Sequence, residues 1–141
     1  MKRIALCLVA VVAASSFSIQ SAFAVKAFGD AFADRYKLEE PTTDAEKSLA
    51  AAVKEAKCTV CHGEKSKKIR NEYGQALAKL LDKSDYGAKR RKDEPEAVQK
   101  ELFEALDKVA KEKSVSGQTF GEKIAEGKLP AAEGTDSEEE K

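Results

Sequence analysis

The sequence of 141 residues is long enough for one small domain with extensions, and its 25 basic residues balance 25 acidic ones. That balance argues against nucleic acid as a partner, because binding to a phosphate backbone relies on an excess of Lys and Arg. Charged residues form 35% of the chain and aromatic residues only 6%, so the core that the protein builds from its own side chains is thin.

The N-terminus has the parts of an export signal. Lys2-Arg3 is a short basic region, residues 4–14 are an apolar run, and Ala22-Phe23-Ala24 is an A-x-A cleavage site. We therefore expect residues 1–24 to be a signal peptide and the mature chain to begin at Val25, in the bacterial periplasm or outside the cell. The apolar run is a poor transmembrane span, so we expect no membrane span in the mature chain.

Residues 25–41 are predicted to form an N-terminal arm. Phe28, Phe32 and Tyr36 recur at i, i+4 and i+8, a spacing that suits an amphipathic segment. We favour partial packing of this segment on the domain over a loosely ordered arm.

The first helix of the domain is predicted to begin at Thr43. Thr43 and Glu46 have the spacing of a capping box. An apolar stripe follows and leads into Cys58. Its members are Ala45, Leu49, Val53 and Ala56.

The segment Cys58-Thr59-Val60-Cys61-His62 has the C-x-x-C-H pattern of covalent haem attachment. On one helical turn, Cys58, Cys61 and His62 stand at i, i+3 and i+4 and face the same side. Two thiols at this spacing reach the two vinyl groups of one porphyrin, and the next imidazole becomes the proximal iron ligand. We expect one covalent haem c, with Cys58 and Cys61 as attachment points and His62 as the proximal ligand. A buried porphyrin would also fill the thin core, so the apo-protein should be marginally stable or unfolded.

Other uses of these residues fit the sequence less well. A structural zinc site takes four Cys or His ligands, whereas the mature chain has three, because Cys7 lies in the signal peptide. A redox dithiol is typically found near a βαβ unit, a pattern that this sequence lacks. A disulfide between Cys58 and Cys61 would leave His62 without a role.

Three more helices are predicted after the motif. The second helix has an apolar stripe made of Tyr73, Ala76, Leu77, Leu80 and Leu81. The third is predicted to open at Asp93, with Pro95 in its first turn and Glu96 at N3. Its stripe is Val98, Leu102, Ala105, Leu106 and Val109. A short fourth helix covers residues 118–126 and is ended by Gly127 and Pro130.

No segment alternates with period 2, so the predicted fold class is all-α. Residues 131–141 are rich in acidic residues and have no apolar side chain larger than alanine. We expect them to form a disordered acidic tail after a domain that covers residues 42–130.

With this motif, the amphipathic helix before it and later helices that can close over a porphyrin, the mature chain resembles a small, class I-like monohaem c-type cytochrome. Residues 70–77, Arg-Asn-Glu-Tyr-Gly-Gln-Ala-Leu, are similar to sequence that follows the haem motif in some bacterial cytochromes. The resemblance implies about four helices around one covalent haem. It implies a periplasmic single-electron carrier that serves other redox proteins and is not itself an enzyme, unless it is a subunit of an oxidoreductase.

The chain departs from that family on the distal side of the iron. Class I cytochromes usually have a distal Met, but here Met1 is the only Met and His62 the only His. We expect the sixth position to be open or water-bound, with a lysine as the next candidate. The side chains considered are Lys65, Lys67 and Lys68, and with less weight Asn71, Tyr73 and Tyr86. An open position would admit small ligands, so the alternative functions are a haem-based gas binder or sensor, or a small haem subunit of a larger redox complex.

Two basic clusters complete the sequence pattern. The first is Lys65, Lys67, Lys68 and Arg70, and the second is Lys89, Arg90, Arg91 and Lys92. Such clusters form either a positive rim around the haem edge or an ordinary solvated surface.

Overall fold

A computed structural model describes residues 20–132, with side chains from residue 26 onward. Most of the predicted signal peptide and most of the predicted acidic tail lie outside these residues. Within them the elements, in order, are α1 (Gln20–Arg35), α2 (Asp44–Ala56), a 3₁₀ turn (Lys57–Val60), α3 (Glu72–Ala78), a second 3₁₀ turn (Lys83–Tyr86), α4 (Ala88–Asp93), α5 (Pro95–Val109) and α6 (Phe120–Ala125). In this part of the chain the extended pairings are two isolated bridges, so the all-α prediction is confirmed.

Helix α1 contains most of the segment that the sequence describes as an arm, and it is part of the core. Ala31 and Phe32 are buried, and the helix packs against α5. The Phe32 ring lies 4.8 Å from that of Tyr36 and meets the ring of Tyr73 edge-on at 6.0 Å. The predicted spacing of aromatic residues therefore places a helical face against the domain.

Helix α2 begins as predicted. Thr43 is the N-cap residue, and its hydroxyl and the Glu46 carboxylate form the reciprocal hydrogen bonds of a capping box. Leu49 is buried on the apolar stripe. The helix ends at Ala56, and Lys57 takes a positive φ of 52° that turns the chain into the 3₁₀ segment with Cys58.

Helix α5 has the five predicted stripe residues buried, but its start differs from the prediction. Pro95 is the first helical residue and Glu94 is the N-cap residue, so Glu96 is not at N3. Asp93 cannot act as the cap because it is the last residue of α4. The sequence gives no sign of α4, since its basic residues have no apolar periodicity.

The remaining two helices are shorter than their sequence patterns suggest. Helix α3 ends at Ala78, which leaves the stripe residue Leu80 exposed. Helix α6 begins with a capping box between Thr119 and Glu122. Gly127 follows this helix with φ 75°, and a Cβ atom there would lie 2.7 Å from the Ala45 carbonyl oxygen, so glycine suits both the turn and the contact with α2.

Glu72, in the first turn of α3, connects that helix to the C-terminal part of the described chain through hydrogen bonds. Its carboxylate accepts hydrogen bonds from the Ser114 hydroxyl at 2.8 Å, the Val115 amide at 2.7 Å and the Ala132 amide at 2.8 Å. Burial alone would raise the pKa of Glu72, but these donors and the nearby charge of Lys123 lower it overall. Residues 131 and 132, which the sequence assigns to the tail, are thus in contact with the domain.

Among residues 20–132, no helix combines the length and the apolar character that crossing a bilayer requires.

Candidate functional site

A cavity of about 750 Å³ opens between α1, α3, α5 and the segment of residues 58–62, which we call the Cys–His loop. Its size falls within the range of about 300–1,000 Å³ that is typical of small-molecule pockets. Cys58, Cys61 and His62 all line it, so the structure brings the three predicted site residues together on one cavity. Apolar side chains form much of the other walls, among them Phe28, Phe32, Leu77, Leu81, Leu102 and Leu106.

The backbone of the Cys–His loop explains why the three side chains share a face. The Cys58 carbonyl oxygen accepts hydrogen bonds from the amides of Cys61 at 3.3 Å and His62 at 3.0 Å. The loop is therefore one tight turn, as its i, i+3, i+4 spacing predicts, although it is closer to a 3₁₀ helix than to an α-helix.

The His62 ring is oriented by a backbone carbonyl. Nδ1 of His62 lies 3.3 Å from the carbonyl oxygen of Ile69, which also accepts the Gly63 amide at 3.0 Å. Because a carbonyl oxygen only accepts, this hydrogen bond requires the proton to be on Nδ1. The lone pair is then on Nε2, which is the tautomer of a metal-ligating histidine whose other nitrogen donates to a carbonyl.

Asn71 connects the Cys–His loop to the start of α3. Its buried amide donates from Nδ2 to the carbonyl oxygens of Thr59 at 2.8 Å and Val60 at 3.1 Å. Its Oδ1 accepts the amide of Gly74 at 3.0 Å and so caps α3. The sequence offers one signal for this role: an Asn before a helical stripe is a typical N-cap residue.

Gly74 allows α3 to approach the Cys–His loop closely. A Cβ atom at this position would overlap the carbonyl oxygen of Cys61, a backbone atom with little freedom to move. The Asn71 backbone amide donates to the same oxygen at 3.3 Å. Glycine is therefore required by the packing of α3 on the loop, and nothing in the sequence motif itself indicates this contact.

The two thiols are in different surroundings. Cys58 is exposed, whereas burial and the neighbouring Cys58 thiol raise the pKa of Cys61 to about 12. A nucleophilic redox cysteine normally has a pKa below that of a free thiol. The environment of Cys61 therefore does not activate this thiol as a nucleophile.

The charged residues that line the cavity are mostly basic and lie at its edge. We call the set Lys26, Lys57, Lys68, Arg70, Lys79 and Lys83 the basic rim. Asp30 and Asp82 are the acidic residues among the lining side chains. Of the first sequence cluster, Lys68 and Arg70 belong to this rim.

The second basic cluster lies in α4, where two of its arginines contact neighbouring elements. Arg90 forms ion pairs with Glu101 at 2.6 Å and with Glu94 at 3.4 Å. Arg91 donates a hydrogen bond to the carbonyl oxygen of Tyr86 at 3.1 Å. Arg90 therefore connects α4 to α5, and Arg91 connects α4 to the second 3₁₀ turn.

Three of the side chains considered as distal ligands have other contacts. Tyr73 is fully buried in the core, where its ring packs edge-on against that of Phe120 at 5.2 Å. The Tyr86 hydroxyl lies 3.4 Å from the carboxylate of Glu101, and Asn71 holds the Cys–His loop. Of the three lysines considered by name, Lys68 lines the cavity.

Comparison of the chain with protein-family models, with curated proteins and with solved structures finds no match. Over the described residues, no group of three or more His, Cys, Asp and Glu side chains is placed to hold a metal ion.

Proposed function

We propose that this protein is an exported monohaem c-type cytochrome that carries single electrons between other redox proteins. Cys58 and Cys61 form thioethers to one haem, and Nε2 of His62 is the proximal iron ligand. The observation that carries the proposal is that these three side chains line one cavity, with Nδ1 of His62 3.3 Å from the Ile69 carbonyl oxygen.

The residues present fit a haem in further respects. The cavity has thiols and imidazole on one wall and apolar side chains on the others, which matches a flat apolar group anchored along one edge. When bound, the haem supplies an iron centre that exchanges one electron at a time. The apolar walls would pack against the porphyrin, and the basic rim provides positive charge for the propionates or for an acidic redox partner.

The decisive test is covalent retention of haem by the exported protein. We expect haem staining to stay with the polypeptide after denaturing electrophoresis, and the double variant Cys58→Ser, Cys61→Ser to lose it. Thr59→Ser, within the same loop, is the matched control and should keep the stain. Haem that extracts fully into acidified organic solvent from the natural chain would contradict the proposal.

A second candidate function is the binding of a small neutral ligand at the iron. It is favoured because the mature chain has neither a Met nor a second His to act as the sixth iron ligand. Met1, the only Met, lies in the predicted signal peptide, and His62 is the only His. The lysines of the basic rim are exposed at the edge of the cavity. We expect the ferrous protein to bind CO and the ferric protein to be at least partly high-spin.

Optical spectra of both oxidation states, with and without CO, test this candidate. A purely low-spin ferric spectrum and no response to CO would show that a side chain occupies the sixth position. Substitution of Lys68 and then of the other rim lysines would identify it. Gas sensing, as distinct from gas binding, further requires that CO or NO change the affinity for a partner.

A further inference from the structure

We propose that Asn71 is the positioning residue for haem attachment, because its amide holds the Cys–His loop in the shape that presents both thiols and the imidazole to one porphyrin. This inference rests on the proposed function and names the residue that prepares the same site.

The Asn71 side chain contacts the part of the loop that sets the spacing of the thiols. Thr59 and Val60 are the two residues between the cysteines, and both of their carbonyl oxygens accept hydrogen bonds from Nδ2 of Asn71. Both amide protons are therefore used. Since Asn71 is only 4% exposed, water cannot easily replace these bonds if the side chain is changed.

The backbone of residues 69–71 also helps to position His62. The backbone amide of Asn71 donates to the Cys61 carbonyl oxygen, next to the histidine. Ile69, two residues before Asn71, provides the carbonyl oxygen that orients the His62 ring. A shift of Asn71 would therefore change the thiol spacing and the ring orientation together. Substitution of residues that hydrogen-bond to metal ligands and orient them typically lowers metal affinity or activity about 10–100-fold.

The helix-capping role of Asn71 can be separated from its role in the loop. Asp is as good an N-cap residue as Asn, because both supply a side-chain oxygen to the helix amides. Asp has no amide protons, however, and its negative charge would face the carbonyl oxygens of Thr59 and Val60. Asn71→Asp thus keeps the cap of α3 and removes both donors. Asn71→Ser also keeps a cap, adds no charge, and is too short to reach both carbonyls.

The experiment produces the full-length chain in a bacterium that attaches haem c, and compares the two Asn71 variants with Glu72→Gln. Glu72 is the matched control, because it is the next residue but fastens residues 114–132 and not the Cys–His loop. Intact-mass spectra give the haem bound per purified chain. On the haem-bearing fraction, resonance Raman spectra of the ferrous form give the iron–histidine stretching band.

We expect both Asn71 variants to carry about tenfold less covalent haem per chain than the natural protein. The iron–histidine band of the remaining fraction should shift or broaden, while Glu72→Gln keeps the natural loading and band even where its melting temperature falls. If either Asn71 variant carries as much covalent haem as the natural chain and its iron–histidine band is unchanged, the inference about Asn71 is wrong but the proposed function stands. A natural chain that takes up no covalent haem would overturn the proposed function as well, so the two failures are distinguishable.

Discussion

The cavity has two kinds of wall, and they differ in what holds them in place. The Cys–His loop is held by directional hydrogen bonds from Asn71 and by the close approach of Gly74. The opposite wall, from α1 and α5, is held by the packing of buried side chains such as Phe32 and Leu102. Hydrogen bonds fix positions, whereas apolar packing supplies free energy with little directional demand. The loop wall should therefore govern attachment of the proposed haem, and the helical wall should govern the stability of the domain.

Phe32→Ala should have the largest effect on stability. The substitution removes a buried ring that contacts Tyr36 and Tyr73, and such changes typically cost about 3–5 kcal/mol. Denaturant unfolding of the haem-bearing protein would measure this loss. At low temperature the folded fraction should still carry haem, since no hydrogen bond of the Cys–His loop is changed. Normal stability, or a specific loss of haem from folded chains, would break the proposed division between the walls.

Gly74→Ala should damage the loop wall. A Cβ atom there overlaps the Cys61 carbonyl oxygen, so the loop or α3 has to move, at a cost of about 1–3 kcal/mol. We expect reduced haem attachment together with the loss of stability, measured on the same purified chains.

Gly29→Ala is the matched control on the helical wall. Gly29 also lines the cavity, but a Cβ atom there meets no other atom within 4 Å. Because alanine favours a helix over glycine by about 1 kcal/mol, this variant should be as stable as the natural chain or more stable. Equal effects of the two substitutions would show that the loop wall has more room to adjust than its contacts indicate.

Sequence reasoning predicts the helical wall and the grouping of the three candidate site residues better than it predicts the support of the loop. The stripe of α5 and the capping box at Thr43 follow from local periodicity and side-chain chemistry. Cys58, Cys61 and His62 follow from a short motif. The amide of Asn71, by contrast, reaches residues 11 and 12 positions earlier in the chain, and that contact depends on how the intervening loop folds. Helix α4 escapes prediction because tertiary ion pairs, such as Arg90 with Glu101, hold it without an apolar stripe.

The pH dependence of stability should show that the Glu72 carboxylate stabilises the fold through its hydrogen bonds to residues 114, 115 and 132. Its pKa is lower in the folded protein than the ordinary value of about 4.3, so its contribution to stability is present above that value. The contribution disappears as the pH falls through the lowered folded-state pKa. Glu72→Gln removes the ionisable group, so its stability should fall less steeply than that of the natural chain below about pH 4. Denaturant titrations of both chains over a range of pH would measure the free energy of unfolding. The same decrease of that free energy in both chains below about pH 4 would contradict the prediction.

The smallest effect should come from the acidic tail, and it should depend on the residue at which the chain is cut. Removing residues 133–141 leaves the hydrogen bond from the Ala132 amide to Glu72 intact, so the melting temperature should change by less than about 2 °C. Removing residues 131–141 deletes that donor and the packing of Ala131. The loss of about 1 kcal/mol for one hydrogen bond should lower the melting temperature by several degrees.

Ala132→Pro in the full-length chain separates the hydrogen bond from the packing of Ala131, because proline has no amide proton and residue 131 is retained. We expect Ala132→Pro to reproduce most of the loss seen when residues 131–141 are removed. If both truncations and the proline variant have the melting temperature of the natural chain, only the Glu72 hydrogen bonds to residues 114 and 115 contribute to stability. The domain would then end at Pro130, as the sequence pattern first indicates. If only the longer truncation is destabilised, the loss of Ala131 packing is responsible and the Ala132 amide contributes little.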